Sequence, residues 1–188
     1  MSCRILEKLP RSFYARDAIS VAKDLLGKFI VHRFHGVGYC GKIVETEAYL
    51  GPHDRASHSA RGMTARNAAM FGPTGHAYVY LIYGVHCCFN IVTGKQGDGA
   101  AVLIRAIEPI AGTYGKTNGP GLLARAMNIT RALNGHDLFG DTFYIAQSPR
   151  KEKIVIVRRR RIGVDYAGAW ARRLLRFYIK GNLRVSKK

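Results

Sequence analysis

Acidic residues are scarce in this chain: twelve Asp and Glu stand against thirty Lys and Arg, a formal net charge of +18 over 188 residues. An excess of that size gathers polyanions at a surface and speeds encounter with them. Cysteine is also sparse. Cys3, Cys40, Cys87 and Cys88 are the four, with no C-x-x-C spacing among them. A disulfide between the neighbours Cys87 and Cys88 would be strained. The four read as reduced, mostly buried thiols, which leaves out a disulfide framework and a thiolate zinc site. No apolar run approaches the ~20 residues needed to cross a bilayer. The opening residues Met1 to Lys8 are too charged for a signal peptide. No amphipathic helix pairs lysines with large apolar residues, so a membrane partner is not expected. These absences point to the cytosol of a prokaryotic cell, or to the nucleus of a eukaryotic one.

Other signatures are missing too. Neither G-x-x-x-x-G-K-[ST] nor G-x-G-x-x-G occurs, so no nucleotide cofactor is indicated. His53, Asp54 and His58 invite a metal reading, but their spacing fits no standard site such as H-E-x-x-H. No cofactor and no metal are expected.

What is present suits one globular domain acting as a monomer. The chain is 47% hydrophobic and long enough to bury a core. Ala18, Val21, Ala22 and Leu25 follow helical spacing, which predicts a helix over 17–26 with Gly27 just past its end. Strands are predicted at 28–32, 38–50, 77–83, 87–93, 101–107, 143–146, 154–157 and 175–179, and a second helix at 121–127. Residues 51–75 lack a clean period and read either as a functional loop or as a loop with a short helix near 65–70. Many strands follow one another without a helix between them. The fold class is therefore α+β, a mostly antiparallel curved sheet with flanking helices and a hairpin that projects around Tyr83-Gly84.

Chemistry concentrates on the strands. Side chains alternate along a strand, so Glu45, Glu47 and Tyr49 share one face. A buried carboxylate wants a cationic partner. Arg105, inside the apolar run Val102-Leu103-Ile104-Arg105-Ala106-Ile107, is a candidate partner for Glu47. Tyr78 and Tyr80 share a strand face, where aromatics usually build core. Tyr83 beside Gly84 is badly placed for burial and well placed to insert into something. The run Arg158-Arg159-Arg160-Arg161 reads either as a solvated edge or as a surface for DNA phosphates.

Several stretches, in order, resemble the alkyladenine (3-methylpurine) DNA glycosylase family. They are Gly41 to Pro52, Ala56-Ser57-His58-Ser59, Arg66-Asn67 with Met70-Phe71, Tyr78 to Gly84, Phe89-Asn90-Ile91, Gly97 to Pro109, Asn118-Gly119-Pro120-Gly121, and Arg161 to Val164 with Trp170-Ala171-Arg172. The resemblance spans roughly residues 12–182. It implies a monofunctional enzyme that flips a damaged purine out of double-stranded DNA and hydrolyses its N-glycosidic bond. The implied substrates are 3-methyladenine and 7-methylguanine, with hypoxanthine and ethenoadenine as further candidates. By the same resemblance Glu47 activates the water, while Arg105 and the main-chain carbonyl of Ile162 hold it. Tyr49, His58 and Tyr80 wall the base pocket, Asn90 filters purines, and Tyr83 fills the gap in the duplex. The rival readings are a non-catalytic basic nucleic-acid-binding domain and a metal-dependent nuclease built on Glu45, Glu47 and Asp54. The first leaves Glu47 and Arg105 in their apolar strands unexplained.

Overall fold

A computed structural model of the protein describes residues 6–148, 150 and 152–188; Cys3 lies outside them. Its strands are β1 (Phe29–Phe34), β2 (Val37–Tyr49), β3 (Ala77–Ile82), β4 (His86–Thr93), β5 (Ala100–Ala111), β6 (Phe143–Ala146), β7 (Ile156–Arg159) and β8 (Arg176–Ile179). All pairings among these strands are antiparallel, in the order β3-β4-β5-β2-β1-β6. β8 pairs with β2, and β7 with β8. The expected α+β class and its curled antiparallel sheet are what the chain adopts.

β2 is the longest strand and the branch point. One edge pairs with β5 from Cys40 to Tyr49. The other edge is shared: β1 takes Val37 to Lys42, and β8 takes Glu45 to Glu47. The fork coincides with two irregularities in the β2–β5 ladder. Ile43 pairs with Ile107, Glu45 with Ala106, and Thr46 with Ile104. Val44 is thus an extra residue on β2 and Arg105 an extra residue on β5. Such bulges bend a strand and re-aim its side chains. Here they cancel, so the register resumes toward Tyr49.

One face of the sheet carries the largest hydrophobic cluster. The helix α1 is the short turn Arg11–Tyr14, and α2 (Ala18–Asp24) lays Val21 and Ala22 into the core with Ile43, Ala48, Ile104 and Phe177. Thr46 points to that side too, donating its hydroxyl to the carbonyl of Ala22 at 2.8 Å. Alternation then sends Glu45 and Glu47 to the opposite face. The third helix, α3 (Pro120–Ala126), starts on a proline, whose missing N–H costs nothing at that position.

Expected and observed elements differ in several places, among them β5, which runs on to Ala111 rather than ending at residue 107. β7 lies two residues later than the apolar pattern suggested, because Arg158 and Arg159 extend the pairing with Phe177 and Arg176. In 51–75 two single-turn helices form, His58–Arg61 and Ala68–Phe71, where the sequence suggested at most one, near 65–70. Polar side chains order this loop. Buried Asn67 donates to the carbonyls of His58 (2.8 Å) and Gly62 (3.0 Å) and accepts from the N–H of Thr64 (2.6 Å).

α2 depends on its cap. Asp17 accepts from the N–H groups of Ile19 (3.1 Å) and Ser20 (2.9 Å). Asp17→Ala removes both bonds and is expected to cost ~1 kcal/mol. In a chain of this size that lowers the melting temperature by about 2–4 °C. A thermal melt unchanged to within a degree would show that the cap contributes nothing.

Candidate active site

Glu47 has no solvent exposure and is held from three elements. Its Oε1 accepts from the main-chain N–H of Ile162 at 2.9 Å and lies 3.3 Å from Nη1 of Arg105. Its Oε2 accepts from the Tyr49 hydroxyl at 2.9 Å. Burial, with the charge of Glu47 adding to it, raises the Tyr49 pKa well above its ordinary value, so the phenol keeps the proton it donates. Burial opposes the charge on Arg105, but Glu47 and then Glu45 outweigh it and leave its pKa raised. The expected Glu47–Arg105 pair is therefore formed, and the bulge at Arg105 sets the guanidinium between the two acids.

Glu45 lies on the same face, as alternation predicts, but it meets different groups. Its Oε1 accepts from Nη1 of Arg176 at 2.7 Å and lies 3.5 Å from Nε of Arg105. Its Oε2 accepts from the N–H of Ser186 at 2.7 Å. Sequence reasoning missed Arg176. The signal was the one that marked Arg105: an arginine within an apolar strand, Leu174-Leu175-Arg176-Phe177-Tyr178.

The four-arginine run divides. Arg158, Arg159 and Arg160 are exposed. Arg161 is buried, which corrects its expected place on a DNA-facing surface. An arginine taken out of water needs a carboxylate, and Asp54 supplies one with a two-pronged contact, Nη2 to Oδ1 at 2.8 Å and Nη1 to Oδ2. Nη1 also donates to the carbonyl of Ala48 at 2.9 Å, and the guanidinium lies 4.7 Å from the centre of the Tyr49 ring. The pair anchors the residue next to Ile162. It also commits Asp54, which removes one ligand from the nuclease reading.

Glu47 stands beside a cavity of about 270 Å³. Tyr49, His58, Tyr80, Asn90, Arg105 and Ile162 all line it, so the residues singled out in the sequence converge. Tyr78, Met70, Cys88, Arg66 and Tyr166 line it as well and were not anticipated there. His58 stacks edge-on to Tyr80 at 4.5 Å between centroids, and its Nδ1 bonds the Tyr78 hydroxyl at 2.8 Å. Burial, then the charge of Arg66, holds the His58 pKa below its ordinary value, so the ring is neutral at pH 7. Burial pushes the Tyr78 phenol up to about 12 and the Cys88 thiol up to about 11. Asn90 donates its amide nitrogen to the carbonyl of Tyr78 at 3.1 Å, which leaves its acceptor end for the cavity.

At the rim, Tyr83 is 87% exposed and Val85 74%. Tyr83 has φ 52° and Gly84 φ 70°, and the turn closes with the N–H of Val85 on the carbonyl of Ile82 at 3.2 Å. Left-handed backbone is ordinary for glycine and uncommon for tyrosine. The hairpin thus holds an aromatic ring out in water, in a backbone conformation that tyrosine rarely adopts.

Among the described residues no helix is long and apolar enough to cross a membrane, and no group of three His, Cys, Asp or Glu could hold a metal. The family model for methylpurine-DNA glycosylase (MPG) matches residues 12–183. A Legionella pneumophila (strain Corby) protein named "Putative 3-methyladenine DNA glycosylase" is 55% identical over 97% of this chain and 100% of its own length. Proteins of the same name are 54% identical in Anaeromyxobacter sp. (strain Fw109-5), over 96% of this chain and 93% of theirs, and 49% identical in Myxococcus xanthus (strain DK1622), over 95% and 93%. A buried carboxylate beside an aromatic cavity, a strongly basic chain and a match of this length agree: the chain belongs to the methylpurine-DNA glycosylase family, hydrolases that cleave N-glycosyl bonds in damaged DNA.

Proposed function

We propose that the protein flips alkylated purines, 3-methyladenine and 7-methylguanine foremost, out of duplex DNA and hydrolyses them from the sugar at Glu47. The observation that carries this reading is the fully buried Glu47 held directly behind Tyr49, Arg105 and Ile162, three residues that line a base-sized cavity, with an exposed ring at the rim. A base within the stack is out of reach of any side chain, so it must leave the duplex first. Tyr83 is the wedge: a ring inserted into the vacated space offsets part of the unstacking cost, a few kcal/mol per step. The exposed Arg158, Arg159 and Arg160 would take phosphates.

Alkylation at N3 or N7 makes the purine cationic. The faces of Tyr49 and Tyr80 favour such a base by about 0.5–2 kcal/mol. The cation is also already a good leaving group. In the proposed step the C1′–N bond breaks with its electron pair going to the purine, which neutralises it. Water bonds to the oxocarbenium-like C1′ and gives its proton to Glu47. A carboxylate has about four acceptor positions. The protein hydrogen-bonds Glu47 twice, from Ile162 and Tyr49, with the Arg105 guanidinium 3.3 Å away, so acceptor capacity remains for that water. Arg105 and the Ile162 carbonyl would orient it. Hypoxanthine and ethenoadenine are neutral, so their departure also needs a proton from the site or its water. Among the described residues no lysine lines the cavity, which argues against a Schiff-base lyase step.

The first test is release of 3-methyladenine from alkylated duplex DNA in chelator-containing buffer, leaving abasic sites. If no modified purine is released, hydrolysis at Glu47 is ruled out, and loss of activity to the chelator would favour a metal nuclease. Glu47→Gln is expected to keep DNA affinity and lose most turnover, at least ~10²-fold; near-normal single-turnover rates would remove Glu47 from its role. Tyr83→Ala is expected to weaken binding to abasic-site DNA by about 10-fold or more, matching a lost stacking contact of 1–3 kcal/mol. Unchanged affinity in a titration would count against the wedge.

A further inference from the structure

We propose that Arg176 is a positioning residue that ties together the two groups holding Glu47, with Glu45 as its relay to Arg105. The inference rests on the catalytic reading of Glu47.

Arg176 lies opposite Glu47 in the β2–β8 ladder, yet its guanidinium goes elsewhere. Nη1 donates to Glu45 Oε1 at 2.7 Å and to the carbonyl of Lys187 at 2.6 Å, and Nε donates to the carbonyl of Arg160 at 2.9 Å. Two of these contacts lead to Glu47 by different routes. Arg160 is two residues before Ile162, whose N–H bonds Glu47 directly. Glu45 is the other acid beside Arg105, at 3.5 Å from Nε, while Nη1 of the same guanidinium is 3.3 Å from Glu47. Arg105 Nε makes no hydrogen bond among the described residues. Its position is therefore set by a balance of charge between two carboxylates. Arg176 takes up part of the charge of Glu45, and this leaves Arg105 available to Glu47.

Removing that share changes the balance. Without the fork of Arg176, Glu45 is a buried acid whose remaining cation is Arg105, and it draws the guanidinium off Glu47. At the same time the carbonyl of Arg160 loses its donor and the Ile162 N–H loses its register. Lysine at this position keeps the charge but is a single point donor, and it cannot serve Glu45, Arg160 and Lys187 in one plane. Glutamine at Glu45 keeps the shape and an acceptor for Arg176 but deletes the charge, so Arg105 is drawn wholly onto Glu47 and off the position that the balance between the two acids sets.

The experiment measures single-turnover release of 3-methyladenine from duplex DNA with enzyme in excess, for Arg176→Lys, Glu45→Gln, Glu47→Gln and each first variant combined with Glu47→Gln. Abasic-site DNA affinity is titrated in parallel. A misplacement of about 1 Å can cost 10²-fold, so Arg176→Lys and Glu45→Gln are each expected to slow the rate constant by about 10- to 100-fold. The amplitude of release and abasic-site affinity should stay within about threefold, because positioning leaves folding and DNA contact intact. In the Glu47→Gln background both variants should have no further effect, since effects that act through one group are not additive. Normal rate constants in both variants overturn the proposal, as does a loss confined to amplitude, or an equal loss in the Glu47→Gln background. If Arg176→Lys does not fold, Glu45→Gln decides alone. Near-normal release by Glu47→Gln itself would sink the catalytic reading instead, an outcome separate from failure of the two positioning variants.

Discussion

The structure turns on holding one carboxylate away from water among cations and hydrogen-bond donors. Burying an unpaired ion costs several kcal/mol, and the attraction of a partner repays it only when every remaining lone pair and proton is also placed. The protein meets this by balance. Glu45, Glu47 and Asp54 stand among Arg105, Arg161 and Arg176, three charges of each sign, with side chains no more than 8% exposed. A cluster of this kind gives little net stability, since well-packed apolar residues would serve as well or better. What it provides is a carboxylate of fixed position directly behind the residues that line a cavity rich in aromatic rings.

The sheet is shaped to make that cluster possible. A regular β2–β5 ladder would leave no reason for an arginine to sit between two acids of the neighbouring strand. The paired bulges at Val44 and Arg105 create the offset, and the fork at β2 opens the same place to β8 and its arginine. The apolar face behind, where Thr46 bonds the carbonyl of Ala22, holds β2 against α2, so the acids on the opposite face have a rigid base. Local irregularity and overall regularity thus have separate tasks: the bulges aim side chains, and the core under α2 keeps them aimed.

Much of this was legible in the sequence because it follows from short-range rules. Alternation placed Glu45, Glu47 and Tyr49 together, and an arginine in an apolar run signalled a buried acid. Composition gave the polyanionic partner. What could not be read depends on distant encounters. Arg161 looked like its three exposed neighbours, since nothing local distinguishes an arginine that will meet Asp54 from one that will not. Arg176 carries the same mark as Arg105, an arginine in an apolar run, but nothing local says that its partner is Glu45, 131 residues away. The loop at 51–75 lacks a period because polar side chains such as Asn67, rather than a buried apolar stripe, give it order.

The contacts that complete the site span long stretches of chain. Glu47 and Ile162 are 115 residues apart, Asp54 and Arg161 are 107 apart, and Glu45 and Arg176 are 131 apart. A ribosome emits the acids first and the groups that hold them much later. A nascent chain halted before residue 160 carries Glu47 and Arg105 but has neither the Ile162 amide nor the cations owed to Asp54 and Glu45. Half-made copies therefore leave Glu45, Glu47 and Asp54 without their full set of partners, and the cluster closes only once residues 161 to 186 have been made.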